Sequence, residues 1–259
     1  MNLPFKAVIY DAGHTLLQGR PTIDELCDIA FDEFEVYIEP EQLRAAMPDV
    51  GAFYQLRREE DGLGVYDSNE RARSFWRGYY LEAFRRAGIE HDADVLSDLA
   101  LRLNDWYGQP EQWTVFDDAW IALEEGRRRG LIQGVVSDWG TDLLGTLATL
   151  GLTQYFKFVV VSAIVGRAKP APEIFNYALE RAGVQANEAV YVGDSYIADV
   201  LGARGAGLTP VLVERHSHNH KFDCLTIPSL DHLFAVLDPV DPEFPLPLPR
   251  GGGQGERSR

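Results

Sequence analysis

The chain has 259 residues, of which 46% are hydrophobic and 25% charged, enough for a full hydrophobic core and unlike a disordered or fibrous sequence. Its net charge of -16 argues against a surface that neutralises nucleic-acid phosphates, so we expect no nucleic-acid partner. The chain has two cysteines, no signal-peptide-like start and no apolar stretch long enough to span a bilayer. These features predict a soluble, cytoplasmic protein without membrane contact.

Short apolar runs rich in β-branched residues alternate with helical patterns along much of the chain. Strands are predicted over residues 7–10, 132–136, 158–161, 189–192 and 210–213. Helices are predicted over residues 117–129, 141–150, 172–182 and 195–206. Fully apolar strands that alternate with helices are typical of a parallel sheet covered on both faces. We therefore predict an α/β fold with a doubly wound parallel sheet.

A long segment after the first strand carries helical periodicity and no strand pattern. An insertion at this position lies at the edge where α/β sheets bind ligands, so it is well placed to cover a site. Proline and glycine dominate the other end of the chain, a composition that cannot bury a core. Three parts are predicted: an α/β core of residues 1–16 and 114–237, a helical cap of residues 17–113, and a disordered tail of residues 238–259.

Four polar clusters fall at or just beyond the carboxyl ends of predicted strands. Because these ends meet at one edge of a parallel sheet, we expect the clusters to converge on one crevice. Asp199 comes four residues after Ser195, a predicted N-cap, and is expected on the same helix face. The clusters are Asp11 with Thr15, Ser137 with Asp138, Lys169 with Pro170, and Gly193-Asp194-Ser195 with Asp199.

Taken in order, the segment Asp11-Ala12-Gly13-His14-Thr15-Leu16, Ser137, Lys169-Pro170 and the segment Gly193 to Asp199 resemble the four motifs of the haloacid dehalogenase-like hydrolase superfamily. The helical insertion between the first and second motifs is similar to that superfamily's type-1 cap. The resemblance implies a Rossmann-like core and makes Asp11 a nucleophile that forms an aspartyl intermediate. A carboxylate can act in this way where positive charge neutralises the phosphoryl oxygens that it approaches.

The expected crevice is rich in carboxylates, since it would hold Asp11, Asp138, Asp194 and Asp199 beside a single cation, Lys169. Such crowding raises carboxyl pKa values unless a further positive charge is present, so we expect a divalent cation. The resemblance implies Mg²⁺ bound by Asp11, Asp194 and the Gly13 carbonyl, with Asp199 in the inner shell or one shell out.

The resemblance also implies a small phosphorylated substrate and a phosphatase-type hydrolase. Ser137 would donate a hydrogen bond to a phosphoryl oxygen, and Lys169 would place its charge near both the phosphate and the catalytic Asp11. Thr15 and Asp138 are predicted to lie at the substrate as well. The alternative for Lys169 is a salt bridge that only joins two strand ends.

Gly13 is the main departure from the family pattern. Most phosphatases of this superfamily have a second Asp two residues after the nucleophile, which protonates the leaving group and then activates water. Loss of such help costs about 10² to 10⁴ in rate. We therefore expect slow turnover of simple alkyl phosphates, a smaller penalty for acyl or activated aryl phosphates, and accumulation of phosphorylated Asp11. His14, or a protonated Asp138, is the alternative proton donor.

Two other functions compete with phosphatase activity. The first is a pseudo-enzyme whose phosphate and metal site binds a phosphorylated ligand or a partner protein without useful turnover, and Gly13 is its main support. The second is 2-haloacid dehalogenation, which needs no metal and which the intact Gly193-Asp194 and Asp199 pattern disfavours. Phosphonatase chemistry by a cap lysine is disfavoured because residues 17–113 contain no lysine.

Three features away from the motifs have ordinary structural interpretations. The aromatic cluster of the cap is expected to pack within the helices, with a ligand pocket as the alternative. The charged pair Arg57 and Arg58 is expected on a solvated helix end, with recognition of an anionic substrate as the alternative. The histidine-rich run 216–220 is expected in a solvated loop, with transition-metal binding as the alternative. The aromatic cluster comprises Phe75, Trp76, Tyr79, Tyr80 and Phe84.

Overall fold

The computed structural model describes residues 5–60, 66–215 and 222–238. Its strands, in chain order, are β1 Ala7–Tyr10, β2 Leu17–Gly19, β3 Trp113–Val115, β4 Ile132–Ser137, β5 Phe158–Val161, β6 Ala189–Gly193, β7 Thr209–Val213 and β8 Leu225–Ile227. Its α-helices are α1 Ile23–Phe34, α2 Pro40–Glu60, α3 Asn69–Arg86, α4 Ala93–Tyr107, α5 Asp117–Arg128, α6 Leu143–Thr149, α7 Ser162–Val165, α8 Pro172–Ala182, α9 Gly202–Gly205 and α10 Leu233–Leu237.

Six parallel strands form the central sheet, in the order β5-β4-β1-β6-β7-β8. The residues of β1 are fully buried, because helices cover both faces of the sheet and leave its central strand no contact with solvent. One hydrophobic cluster packs against α5 and α6, and a second packs against α8 on the other face. This arrangement confirms the predicted doubly wound α/β fold. The short edge strand β8, three residues long, was not predicted.

The helices between β2 and β3 have a hydrophobic core of their own. Phe84, Leu99 and Leu103 are fully buried in it, and Tyr79 and Tyr80 pack against it. These contacts agree with the expected packing role for most of the aromatic cluster. Helix α1 begins at a capping box, in which the Thr22 side chain accepts from the Glu25 N–H and the Glu25 carboxylate accepts from the Thr22 N–H.

The prediction that no strand lies between the first strand and the second half of the core was wrong. Strands β2 and β3 pair antiparallel at the base of the helical insertion, with Leu17 opposite Val115 and Gly19 opposite Trp113. Leu17 and Trp113 pack in the same hydrophobic cluster as Tyr10 of β1. The predicted boundary at residues 16/17 therefore falls at the start of this ribbon, and the one at 113/114 falls inside it. The ribbon was missed because each of its strands has only three residues.

Helix α3 of the insertion contacts the core close to the carboxyl edge of the sheet. The Asn69 side chain donates to Thr141 Oγ1 at 2.9 Å and accepts from the Thr141 N–H at 3.0 Å. Tyr66, Phe75 and Trp76 cluster with Ala168, the residue before Lys169. The insertion thus lies against the loops that follow β4 and β5, as a cover for that edge would.

Several sequence predictions lie outside the described residues. The histidine run 216–220 and the tail from residue 239 onward belong to this group. The side chains of Arg57 and Arg58 also lie outside the described residues. In the described part of the chain, no helix is both long and apolar enough to cross a membrane.

Candidate active site

The carboxyl edge of the sheet brings together side chains that are far apart in the sequence. Strand β1 lies between β4 and β6, so Asp11, directly after β1, is near Ser137 at the end of β4 and Asp194 directly after β6. Carboxylate oxygens of Asp11, Asp194 and Asp199 all lie within 4.8 Å of one another. This spacing is suitable for oxygen ligands that share one cation.

Lys169 lies between two of these carboxylates and is 3% exposed. Its Nζ donates to Asp11 Oδ1 at 2.8 Å and to Asp199 Oδ1 at 2.6 Å. Burial alone would lower the pKa of Lys169, but the attraction of Asp11 and Asp199 outweighs it and raises that pKa well above its usual range. The residue is therefore a permanent buried cation beside Asp11.

The chain places Asp199 against the end of β6 by a wide helical turn. Residues Tyr196–Leu201 form a π-helix, and the Ser195 side chain caps it by accepting from the Ala198 N–H at 3.2 Å. The predicted N-cap is confirmed, whereas the predicted regular helix over residues 195–206 was wrong for its first six residues. Any Cβ on residue 193 would lie 2.3 Å from Asp199 Cγ, so Gly193 is required for this close approach.

Both oxygens of Asp199 accept hydrogen bonds from the protein. Oδ1 accepts from Lys169 and lies 3.1 Å from the Tyr191 hydroxyl, and Oδ2 accepts from the Ser195 N–H at 2.9 Å. Asp199 therefore orients Lys169 and the loop after β6. These contacts favour a place one shell out from a cation over direct ligation.

The buried cluster carries more negative than positive charge. Three carboxylates face the single ammonium of Lys169, which leaves an excess of two negative charges when all groups are ionised. Burial raises the pKa of Asp11, with Asp199 adding to the shift and Lys169 opposing it. Asp194 is exposed to solvent, yet desolvation by the surrounding protein raises its pKa to about 8. Repulsion from Asp11 and Asp199 contributes to the same shift.

We expect Mg²⁺ to stabilise the folded protein more at about pH 8.5 than at about pH 6. Folded Asp194, with a pKa of about 8 against 3.8 ordinarily, keeps a proton that the unfolded chain has lost. The metal-free protein therefore loses stability as the pH rises from about 4 to about 8, and bound Mg²⁺, which replaces the proton, restores it. Thermal unfolding at both pH values, with Mg²⁺ and with EDTA, measures the difference. Equal gains at the two pH values, or gains that persist in Asp194→Asn, would contradict this prediction.

The predicted substrate-binding residues differ in their contacts within the structure. Ser137 lies at the end of β4, where its hydroxyl has a small lowering effect on the pKa of Asp11. Asp138 Oδ1 accepts from the Lys169 N–H at 2.9 Å and so fixes the backbone that carries Lys169. Thr15 is fully buried, and its Oγ1 has no hydrogen-bond partner among the described residues. Direct contact with a substrate stays a prediction for these residues.

Residues 13 and 14 continue the loop from Asp11. Gly13 is faced by Trp139, which follows the second motif, and His14 has a left-handed backbone with φ of 56°. The His14 ring is exposed and meets the Trp113 ring edge to face at 6.3 Å. The His14 side chain is thus directed to the aromatic residues at the base of the insertion, and its role as a proton donor stays a hypothesis.

Arg215, the second residue after β7, was not predicted as a site residue. It donates to the carbonyls of His14 and Thr15 at 3.1 and 2.7 Å, and its guanidinium pairs with both carboxylate oxygens of Asp118. Its guanidinium also lies 3.6 Å from the centroid of the Phe116 ring. A basic residue just beyond a strand at this edge was the available sequence signal.

Tyr191, on β6, was also missed, because within an apolar strand it is typical of a core residue. Its hydroxyl accepts from Lys169 Nζ at 3.2 Å and lies 2.9 Å from the Val136 carbonyl and 3.1 Å from Asp199 Oδ1.

We expect Tyr191→Phe to destabilise the protein by about 1–2 kcal/mol, because a buried carbonyl loses its donor. Turnover should fall by about tenfold or less, because Lys169 keeps both of its carboxylate partners. Urea unfolding and steady-state kinetics measure both effects, and a loss of turnover as large as that of Asp11→Asn would contradict this view.

Comparison with known proteins agrees with the geometry. A family model described as haloacid dehalogenase-like hydrolase matches residues 50–213. A Danio rerio protein, haloacid dehalogenase-like hydrolase domain-containing protein 3, is 33% identical over 238 residues, which cover 92% of this chain and 96% of that protein. The chain belongs to the haloacid dehalogenase-like hydrolase family. This confirms the resemblance stated from the four motifs.

Other members of this hydrolase family extend the comparison. The ribulose-1,5-bisphosphate 5-phosphatase of Halopiger xanaduensis is 36% identical over 168 residues, which cover 62% of this chain and 66% of that enzyme. The magnesium-bound HAD-hydrolase YfnB of Bacillus subtilis has a TM-score of 0.71 at 20% identity, over 90% of this chain and 99% of that one. The first shows that the family relatives include a named phosphatase, and the second supports the fold alone.

Proposed function

We propose that this hydrolase is a Mg²⁺-dependent phosphatase that acts on a small phosphorylated substrate through an aspartyl-phosphate on Asp11. The observation that carries the proposal is the cluster of Asp11, Asp194 and Asp199 around Lys169, which has more carboxyl groups than cations. A divalent cation would neutralise that excess, and the dianionic phosphate would then find two sources of positive charge beside Asp11. The similarity to a named phosphatase supports the same reaction class.

The residues divide the reaction into two displacements at phosphorus. In the first, the Asp11 carboxylate forms a bond to phosphorus, and the bond to the ester oxygen breaks with the electron pair staying on that oxygen. In the second, water attacks the same phosphorus, releases inorganic phosphate and restores the Asp11 carboxylate. Lys169 stabilises the charge on the phosphoryl oxygens in both steps, while Ser137 orients Asp11.

The oxygen-rich donor set fits Mg²⁺, which prefers one or two carboxylates with carbonyl and water oxygens. Asp11, Asp194 and the Gly13 carbonyl would hold it, with Asp199 one shell out. When bound, the metal supplies positive charge that neutralises the phosphoryl oxygens.

A binding protein without useful turnover is the second candidate, and Gly13 is the observation that favours it. No side chain at that position can pass a proton to the leaving group. Against this candidate, Lys169 is held directly on Asp11, an arrangement that a protein that only binds phosphate does not need. Dehalogenation is disfavoured because its metal-free chemistry gives no use for Asp194 beside two other carboxylates.

Release of phosphate and of halide distinguishes the three activities. The purified chain is incubated with acetyl phosphate, p-nitrophenyl phosphate or 2-chloropropionate, each with Mg²⁺ and with EDTA. Phosphate release that needs Mg²⁺ and is lost in Asp11→Asn supports the proposal. Chloride release with EDTA present would overturn it in favour of a dehalogenase. Phosphate binding without release of either product would overturn it in favour of a binding protein.

A further inference from the structure

The space beside Gly13 is filled by one aromatic side chain. A Cβ on residue 13 would lie 3.2 Å from Cζ3 and 3.9 Å from Cε3 of Trp139, with no other heavy atom of a residue beyond its chain neighbours within 4 Å in the described structure. Gly13 follows Asp11 by two residues, and Trp139 follows Ser137 by two. The surface next to the nucleophile on this side is therefore the carbon edge of an indole.

The Trp139 indole is fixed in this position by three sets of contacts. Its Nε1 donates to Asp142 Oδ2 at 3.0 Å, and its backbone N–H donates to the buried Ser162 Oγ at 3.1 Å. Its ring lies against Trp113 with 4.5 Å between ring centroids. The Trp113 ring in turn contacts the Tyr107 ring, with 5.0 Å between ring centroids, and Trp113 Nε1 donates to the Tyr107 carbonyl. The indole cannot turn away without the loss of its bond to Asp142 and its contact with Trp113.

This arrangement has two chemical consequences for a leaving group on the Gly13 side. Trp139 presents carbon atoms there, and its indole N–H is bound to Asp142, so the side chain provides no proton. The leaving oxygen must then depart as an anion, which favours groups that stabilise the charge by conjugation. A flat conjugated group is also the best partner for an aromatic ring, because ring pairs contribute about two- to tenfold in affinity beyond their buried area.

We propose that Trp139 is a specificity-determining residue that contacts the leaving group and selects phosphate monoesters of flat, conjugated alcohols, such as aryl phosphates. This inference rests on the proposed phosphatase function of the same site. Trp139 takes no part in bond making or breaking. Its effect is a preference for one class of leaving group over another of similar acidity.

Kinetics with a matched pair of substrates test the preference. Phenyl phosphate and hexafluoroisopropyl phosphate have leaving groups of similar acidity, but only the first is aromatic. The wild-type protein should prefer phenyl phosphate by about two- to tenfold in kcat/KM, as expected for one aromatic contact. Trp139→Leu should lower kcat/KM for phenyl phosphate more than for the fluoroalkyl ester and so remove this preference, and Trp139→Phe should keep most of it. Equal losses for both esters in Trp139→Leu would show a merely structural role and overturn the proposal.

Binding provides a readout that is independent of turnover. Phenylphosphonate and methylphosphonate, which are not hydrolysed, are titrated by calorimetry in the presence of Mg²⁺. The wild type should bind phenylphosphonate about tenfold more tightly, and Trp139→Leu should bind the two alike. If the protein hydrolyses no phosphate ester but shows this difference, the proposed function fails while the assignment of Trp139 stands. If the wild type binds both phosphonates equally, the assignment fails whatever its activity.

Discussion

Replacing Lys169 by methionine is expected to lower turnover by about 10³ and, without Mg²⁺, to destabilise the fold by about 3–5 kcal/mol near neutral pH. Lys169 is 3% exposed and is the ammonium between Asp11 and Asp199. Its removal leaves buried carboxylates without their partner, which is the costly way to break a buried ion pair. Steady-state kinetics and urea unfolding measure the two effects.

The stability loss of Lys169→Met should shrink when Mg²⁺ is added or the pH is lowered, because each supplies the missing positive charge or removes negative charge. Lys157→Met is the matched control. Lys157 directly precedes the edge strand β5, and its Nζ donates to the Ala182 carbonyl at 3.0 Å. The Lys157→Met variant should keep full turnover. Unchanged turnover in Lys169→Met would show that Lys169 only forms a salt bridge that joins strand ends and takes no part in the reaction.

The second large effect is expected for Arg215→Gln. The guanidinium of Arg215 ties the carbonyls of His14 and Thr15 to Asp118, and Asp118 also accepts from the Leu230 N–H. The variant should lose about 2 kcal/mol of stability, less than a fully buried pair because both side chains remain partly exposed. Turnover should fall by about 10- to 100-fold, since the loop that follows Asp11 loses its support.

Arg129→Gln is a close control for the Arg215 variant. Arg129 also pairs with carboxylates, those of Glu125 and Asp238, and also lies over a ring, that of Phe234 at 4.7 Å. It follows α5, at the opposite edge of the sheet from Asp11. A similar stability loss with unchanged kcat is expected for Arg129→Gln. If Arg215→Gln also loses stability without loss of kcat, its role is structural and it does not position the nucleophile loop.

The fold and the meeting of the acidic residues follow from local sequence signals. Apolar runs such as 189–192 mark buried strands, and parallel strands end at one edge, so Asp11 and Asp194 were expected in one crevice. The helices are predictable because particular residue types mark their ends. Helix α8, for example, begins at Pro172 and ends before Gly183, which has a left-handed φ of 75°.

The parts that escaped prediction depend on contacts between distant residues. Arg215 meets His14 across about 200 positions, and Tyr191 of β6 reaches Lys169, which lies in the loop before α8. Trp139 faces Gly13 because β4 lies beside β1. Strands of three residues, such as those of the β2–β3 ribbon, are too short for periodicity to register. The π-helical turn that places Asp199 has no signature in side-chain spacing.

The central claim is that Asp11 becomes phosphorylated, and a quench experiment tests it most directly. The protein is mixed with Mg²⁺ and acetyl phosphate, quenched with acid, digested, and analysed by mass spectrometry. We predict a phosphoryl adduct on the peptide that contains Asp11, sensitive to hydroxylamine and absent from Asp11→Asn. It should accumulate, because Gly13 provides no group to activate the water of the second step. Steady phosphate release with no adduct on Asp11, and undiminished in Asp11→Asn, would contradict the mechanism.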